Sequence, residues 1–314
     1  MSKNLGEQTS KPSQVIPEKV RGFSMGNGEQ TVTSKDAILY ALGLGFSQDP
    51  MNKADLDFTY ELSDNFKVFP TIATVLNDAS KLFESLSTCP GIPEFNPMML
   101  LHGEQSLTVH QVIRDNTRYY NKTFIDNVYD KEKGALVVIK NNNYTDKEMK
   151  SLAFVNETSL FVRGIGGYDK GKKTESQQPQ IPPIPKSAPT FTLEQQTTPN
   201  QAIVYRLSGD FNPLHVDPAM AEMGGFEKPI LHGLCFFGIT AKLILGKVAN
   251  NDIEQFQHMR ARFVGHFFPG ETLLVNAWVQ KNGTDIIVES RVKDRNKQVL
   301  VGLIQLKKPI APKL

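Results

Sequence analysis

Cysteine is nearly absent: Cys89 and Cys235 are the whole complement of a 314-residue chain. They lie far apart in sequence and in no CxxC or Cys/His cluster, so neither a disulfide framework nor a structural zinc site has support. A reducing compartment suits such a chain. Charge of one sign is not in excess either; 35 Lys and Arg against 33 Asp and Glu leave a net charge of +2. That balance removes the basic footprint expected of a nucleic-acid binder. Long apolar runs are missing as well. The most apolar stretch, residues 230–246, carries His232 and Lys242 and is too short to span a bilayer. The first 25 residues lack a charged-then-apolar signal pattern. No Gly-x-Gly-x-x-Gly sits on a strand–helix junction, so no dinucleotide cofactor is expected. What remains is an ordinary globular mix, 39% hydrophobic and 22% charged. It is long enough for two lobes and for a large core that needs no metal or disulfide.

Residues 1–32 are polar and Gly-rich without an apolar period, which predicts a loose arm. Structure is expected from Thr33, where Thr33-Ser34-Lys35-Asp36 reads as a helix cap. Ala37, Ile38, Ala41 and Leu42 continue the helix, and a second helical segment follows Phe69-Pro70. Strand-like patterning occupies residues 107–162, with a turn at residues 130–134. Residues 164–196 read as a Gly-, Lys- and Pro-rich linker. The order of elements then repeats over residues 197–308. A capped short helix at Thr198-Pro199 precedes a long apolar helix that begins near Gly233 and stops at Gly246. Strands follow at residues 272–280, 285–292 and 299–306. A sheet wrapped around one buried helix satisfies each half, because the helix hides its sides and the sheet one face. The expectation is α+β: a double hot-dog with halves 33–163 and 197–308, and a tail at 309–314.

The chemistry concentrates in the second half. In Ser208-Gly209-Asp210-Phe211-Asn212-Pro213-Leu214-His215, a helix-ending glycine and an Asn-Pro turn separate a carboxylate from an imidazole. Such a turn can aim both at one water, as a base and its partner. The same residue types also make simple Asx turns with a satisfied histidine nearby. Downstream, Gly233 in Pro229-Ile230-Leu231-His232-Gly233-Leu234 marks the start of the long helix. Free N–H groups at a helix N-terminus favour developing negative charge, and glycine permits close approach to the backbone. Tight packing would equally call for a glycine there.

Taken together, residues 205–215 and 229–234 resemble the (R)-specific enoyl-CoA hydratase 2 family, the hydratase component of the peroxisomal multifunctional enzyme of fatty-acid β-oxidation. The likeness extends from about Thr33 to Leu306 and includes Leu101-His102-Gly103-Glu104-Gln105 and Ala261-Arg262-Phe263. It implies a double hot-dog that adds water to trans-2-enoyl-CoA to give (3R)-3-hydroxyacyl-CoA. It assigns Asp210 and His215 as the catalytic pair, Asn212 as a shaping residue, the Gly233 backbone N–H as oxyanion donor and Glu61 as a supporting acid. His102, Gly103, Lys131, Phe211, Pro213, Leu214 and Phe263 fall at substrate-contact positions, with Lys131 and Arg262 as partners for the CoA phosphates. The first half lacks a counterpart of the run Ser208 to His215, so a single active site per chain is expected, and the resemblance implies acyl-chain room in the first half and a homodimer. No metal or cofactor is called for. The tail Pro312-Lys313-Leu314 resembles a peroxisomal import signal with proline in place of serine. A thioesterase on the same fold, or a non-catalytic acyl-CoA binder, would use the same features.

Overall fold

The computed structural model describes residues 11–76, 79–169 and 180–310. The first ten residues, 170–179 of the expected linker, and the tail motif Pro312-Lys313-Leu314 lie outside them. Ten antiparallel strands form one continuous sheet: β1 (Ser24–Val32), β2 (Leu100–Val109), β3 (Thr117–Asp130), β4 (Gly134–Tyr144), β5 (Leu152–Arg163), β6 (Phe191–Gln196), β7 (Phe256–Phe263), β8 (Thr272–Val279), β9 (Asp285–Val292) and β10 (Lys297–Leu306). Their spatial order is β1-β3-β4-β5-β2-β7-β10-β9-β8-β6. The first five strands in that order come from one half and the last five from the other. This is the double hot-dog, fused edge to edge where β2 pairs with β7 from Glu104↔Arg262 to Thr108↔His258.

Short helices α1 (Pro17–Val20), α2 (Ser34–Gly43), α3 (Leu56–Thr59), α4 (Ala79–Thr88), α5 (Gln201–Tyr205) and α6 (Pro218–Met223) accompany one long helix, α7 (Gly233–Ala249). Helix α2 begins as its sequence dictates: the Thr33 hydroxyl accepts from the Asp36 N–H, and the Asp36 carboxylate accepts from the Thr33 N–H. Helix α7 is apolar on nearly every side, which suits full burial. Phe236, Phe237, Ile239, Ile244 and Leu245 are all buried in the main core. It runs past Gly246 and ends at Asn250 in the left-handed conformation.

Two segments read as irregular are strands. Ser24–Val32 of the expected arm pairs with β3, and Phe191–Gln196 of the expected linker pairs with β8. Both are sheet edges, where backbone pairing holds a strand whose side chains stay largely in solvent. Helix α5 starts at Gln201 behind Asn200, three residues after the expected Thr198 cap, whose hydroxyl instead bonds Gln201 Oε1 at 3.1 Å.

Among the described residues the first half has no counterpart of α7. Its apolar segment after Phe69 forms a short 3-10 turn, Pro70–Thr74, and α4. The β-branched run Thr71-Ile72 and Thr74-Val75 favours helix poorly. Tyr40, Phe46, Phe58, Phe69 and Ile72 pack into the same core as α7, so this segment supports the other half. Leu86, Cys89 and Ile92 join Val15, Val20 and β3–β5 in a second, smaller core. The rest of that inner sheet face is left to a cavity.

Candidate active site

A cavity of about 1310 Å³ runs between the halves. Its walls include His102, Gly103, Asp210, His215, Gly233 and Phe263 at one end and Ile139, Asn141, Asn156 and Leu160 at the other. The catalytic loop is built locally. Gly209 turns the chain with φ +135°, and a Cβ there would stand 2.5 Å from the Val75 carbonyl, so only glycine fits. Asp210 Oδ1 then accepts from the Asn212 N–H at 3.2 Å, and Asn212 Oδ1 accepts from the Leu214 N–H at 3.0 Å. The Asx turns are therefore present, and they carry the side chains of Asp210 and His215 into the cavity wall.

His215 is buried, and its Nδ1–H donates to the Ile230 carbonyl at 2.8 Å. A carbonyl only accepts, so Nδ1 carries the proton and Nε2 keeps a lone pair. Burial lowers the His215 pKa, opposed by the Asp210 charge and the Ile230 bond. The imidazole is thus neutral near pH 7. A carboxylate oxygen of Asp210 and ring nitrogens of His215 and His232 lie within 4.8 Å of one another. Such a trio can ligate a metal ion, but two of its four ring nitrogens are committed to carbonyls.

His232, at the N-cap of α7, was not singled out from the sequence. Its ring stacks on His215 with centroids 3.7 Å apart, and its Nε2–H donates to the Asp210 carbonyl at 3.1 Å. Burial pushes its pKa down to about 2, with the neighbouring His215 adding to the effect. A permanently neutral ring thereby fixes both the Asp210 backbone and the plane of His215. The local signal was available: a histidine placed directly before a long helix, with no side-chain cap to make, has its ring free for another task.

The first turn of α7 supplies the anion site. The Gly233 and Leu234 N–H groups have no acceptor among the described residues, and both residues line the cavity. A Cβ at Gly233 would meet the Phe263 ring at 3.2 Å, so the glycine keeps this approach open. Phe263 in turn packs edge-on against His102 and Phe236, at 5.1 and 5.7 Å. His102 donates from Nε2 to Gln105 Oε1 at 3.1 Å. Burial lowers its pKa against the pull of the Asp210 charge.

The remaining sequence candidates divide. Gly103, Lys131, Phe211, Asn212, Pro213 and Leu214 line the cavity; Lys131, Phe211, Asn212 and Pro213 are exposed at it. The Lys131 ammonium sits over the Tyr129 ring at 5.9 Å. Arg262 reaches the cavity but is held by Glu104 at 2.7 Å. Glu61 is not brought to the site: it is exposed in the turn after α3 and does not line the cavity. Nothing local in Phe58-Thr59-Tyr60-Glu61 ties its carboxyl to the pair.

Comparison with known proteins agrees with this geometry. Residues 30–164 match the MFE-2 hydratase 2 N-terminal domain, and residues 180–301 match the MaoC like domain. A probable enoyl-CoA hydratase 2 of Dictyostelium discoideum is 38% identical, covering 90% of this chain and 93% of its own. A protein of Arabidopsis thaliana named enoyl-CoA hydratase 2, peroxisomal, is 35% identical, covering 88% and 91%. The crystal structure of a MaoC-like dehydratase from Phytophthora capsici superposes with a TM-score of 0.83 at 32% identity, covering 94% of this chain and 98% of that one. With a neutral imidazole and a carboxylate set beside an uncapped helix start, and with relatives matched over nearly their whole length, the chain belongs to the enoyl-CoA hydratase 2 family and is an enzyme of the hydro-lyase class.

Proposed function

We propose that the chain adds water across the double bond of trans-2-enoyl-CoA to give (3R)-3-hydroxyacyl-CoA, in fatty-acid β-oxidation. One observation carries the assignment of roles. The Asp210 carboxylate and the His215 imidazole converge within 4.8 Å, in a cavity that the unpartnered N–H groups of Gly233 and Leu234 also line. The thioester carbonyl makes the β-carbon electrophilic, so addition needs a home for enolate charge and a base for water. The Gly233 N–H, at the positive end of a 17-residue helix, holds the thioester oxygen as charge develops. A water between Asp210 and the bare Nε2 of His215 loses its proton to the pair as its oxygen attacks. Return of that proton to the α-carbon from the same side gives syn addition. Asn212 acts through its turn bond to Leu214, and Lys131 at the rim meets a CoA phosphate.

The test uses crotonyl-CoA with a thiol-reactive dye present. The expected result is loss of enoyl absorbance, no free thiol, and a (3R) product. Thiol release without loss of enoyl absorbance would establish a thioesterase instead; binding without turnover would leave an acyl-CoA binder.

We further infer a peroxisomal location and a homodimer. The first is supported by the Arabidopsis thaliana relative's name and by Pro312-Lys313-Leu314, the second by the family resemblance. No helix among the described residues is long and apolar enough to cross a membrane. Deleting the last three residues should disperse punctate fluorescence of a tagged chain; puncta that persist would remove the import receptor as a partner. Light scattering should return twice the chain mass.

A further inference from the structure

Among apolar side chains such as Leu136, Ile139 and Leu160, the acyl end of the cavity carries a row of polar ones that a plain fatty chain would not call for. Strand alternation puts Gln105 of β2, Asn156 and Thr158 of β5 and Asn141 of β4 on its wall. Their register makes them neighbours: Gln105 stands opposite Thr158, and Asn156 opposite Asn141. Gln105, Asn141 and Asn156 are 1%, 4% and 4% exposed, so these are desolvated amides, not rim groups.

The row is aligned from its ends and open in its middle. Gln105 is saturated: Nε2 donates to the Ser106 carbonyl and Asn156 Oδ1, both at 3.3 Å, while Oε1 accepts from His102 at 3.1 Å and Thr158 at 3.0 Å. Asn141 donates to Thr123 Oγ1 at 2.5 Å and accepts from Asn143, whose own Oδ1 is buried without a partner. Asn156 donates one N–H to the Ala73 carbonyl at 2.5 Å and accepts once from Gln105. Its second N–H, its second lone pair and the lone pairs of Thr158 Oγ1 have no partner among the described residues. A methylene chain laid there would strip water from these groups and return nothing, whereas an oxygen would pair with them.

We propose that Asn156 and Thr158, held by Gln105, form a subsite for a hydroxyl or carbonyl oxygen on the acyl chain, so that oxygenated acyl-CoA thioesters are preferred over plain ones of equal length. The proposal rests on the hydratase reading only for the direction in which the acyl chain runs. The row begins at Gln105, bonded to His102, and extends about 10 Å, two inter-strand spacings, to Asn141. It therefore reads the body of a medium-length chain and leaves the thioester to Gly233.

The experiment measures binding, which needs no turnover. Saturated acyl-CoAs from octanoyl to dodecanoyl, each with and without an ω-hydroxyl, are titrated calorimetrically into the intact protein and into Thr158→Val and Asn156→Leu. At one chain length the hydroxylated member should bind the wild type about tenfold tighter, the worth of one retained hydrogen bond. Both substitutions should bring that ratio to about one by weakening the hydroxylated member alone. Thr158→Val keeps side-chain size, so its result stands even where Asn156→Leu, which cuts the bond to Ala73, fails to fold. A wild-type ratio of one or less at every length, or a ratio that survives Thr158→Val, overturns the subsite. A protein that shows the preference yet leaves crotonyl-CoA unchanged retains the subsite and loses the hydratase reading.

Discussion

The two halves of the sheet share a plan and differ in what fills it. The second half keeps the long helix, and the start of that helix is where the site lies, because an uncapped N-terminus needs a buried axis behind it. Among its described residues the first half has no such helix. Its early segment packs against α7 instead, and the space beside β2, β4 and β5 becomes cavity. Chemistry needs the helix and substrate room needs its absence, so one chain with two unlike halves does what two identical halves could not.

The sharpest way to break this comparison is to strike the second half alone. Asp210→Asn and His215→Ala should each lower kcat on crotonyl-CoA at least about a hundredfold, the usual reach of acid–base groups. Rates near normal in both would move the chemistry elsewhere. Striking the first half should change selection instead. Leu160→Trp narrows the cavity beside Thr158, and should lower the ratio of kcat/KM for long over short enoyl-CoAs about tenfold, as a misfitting pocket does. An unchanged ratio would mean that the acyl chain does not lie there.

The smallest effect concerns the seam. His258 of β7 bonds Thr108 of β2 at 2.9 Å across it, and burial lowers its pKa to about 4. The unfolded chain takes up this proton as pH falls below the ordinary 6.5, and the folded chain does not until near the lowered value. Stability is therefore full above about pH 6.5 and is lost as pH falls from there towards 4. His258→Gln should flatten that loss in thermal unfolding; an equally steep fall would place the acid-sensitive group elsewhere, His232 being the next to examine.

What was legible in the chain follows from how local its causes are. The loop Ser208 to His215 could be read because glycine and Asx-turn chemistry act within a few residues, and α7 because an apolar run behind Lys228-Pro229 has one stable form. The sheet edges were not legible, since β1 and β6 are held by backbone pairing and show little apolar pattern. Asn141 and Asn156 look like turn residues in sequence; only the pairing of β4 with β5 turns them into a cavity wall. His232 and Glu61 depart from the motif reading in opposite directions. The first gains its role from a ring stacked on it across 17 positions, and the second stands away from the cavity because its turn faces solvent.

The account turns on where the thioester lies. A crystal structure of Asp210→Asn with a bound trans-2-enoyl-CoA would show this directly. It should place the thioester oxygen within hydrogen-bond distance of the Gly233 N–H, the β-carbon beside His215 Nε2, and the acyl chain running past Thr158 toward Asn141. A thioester bound away from Gly233, or an acyl chain that leaves toward solvent, would contradict it.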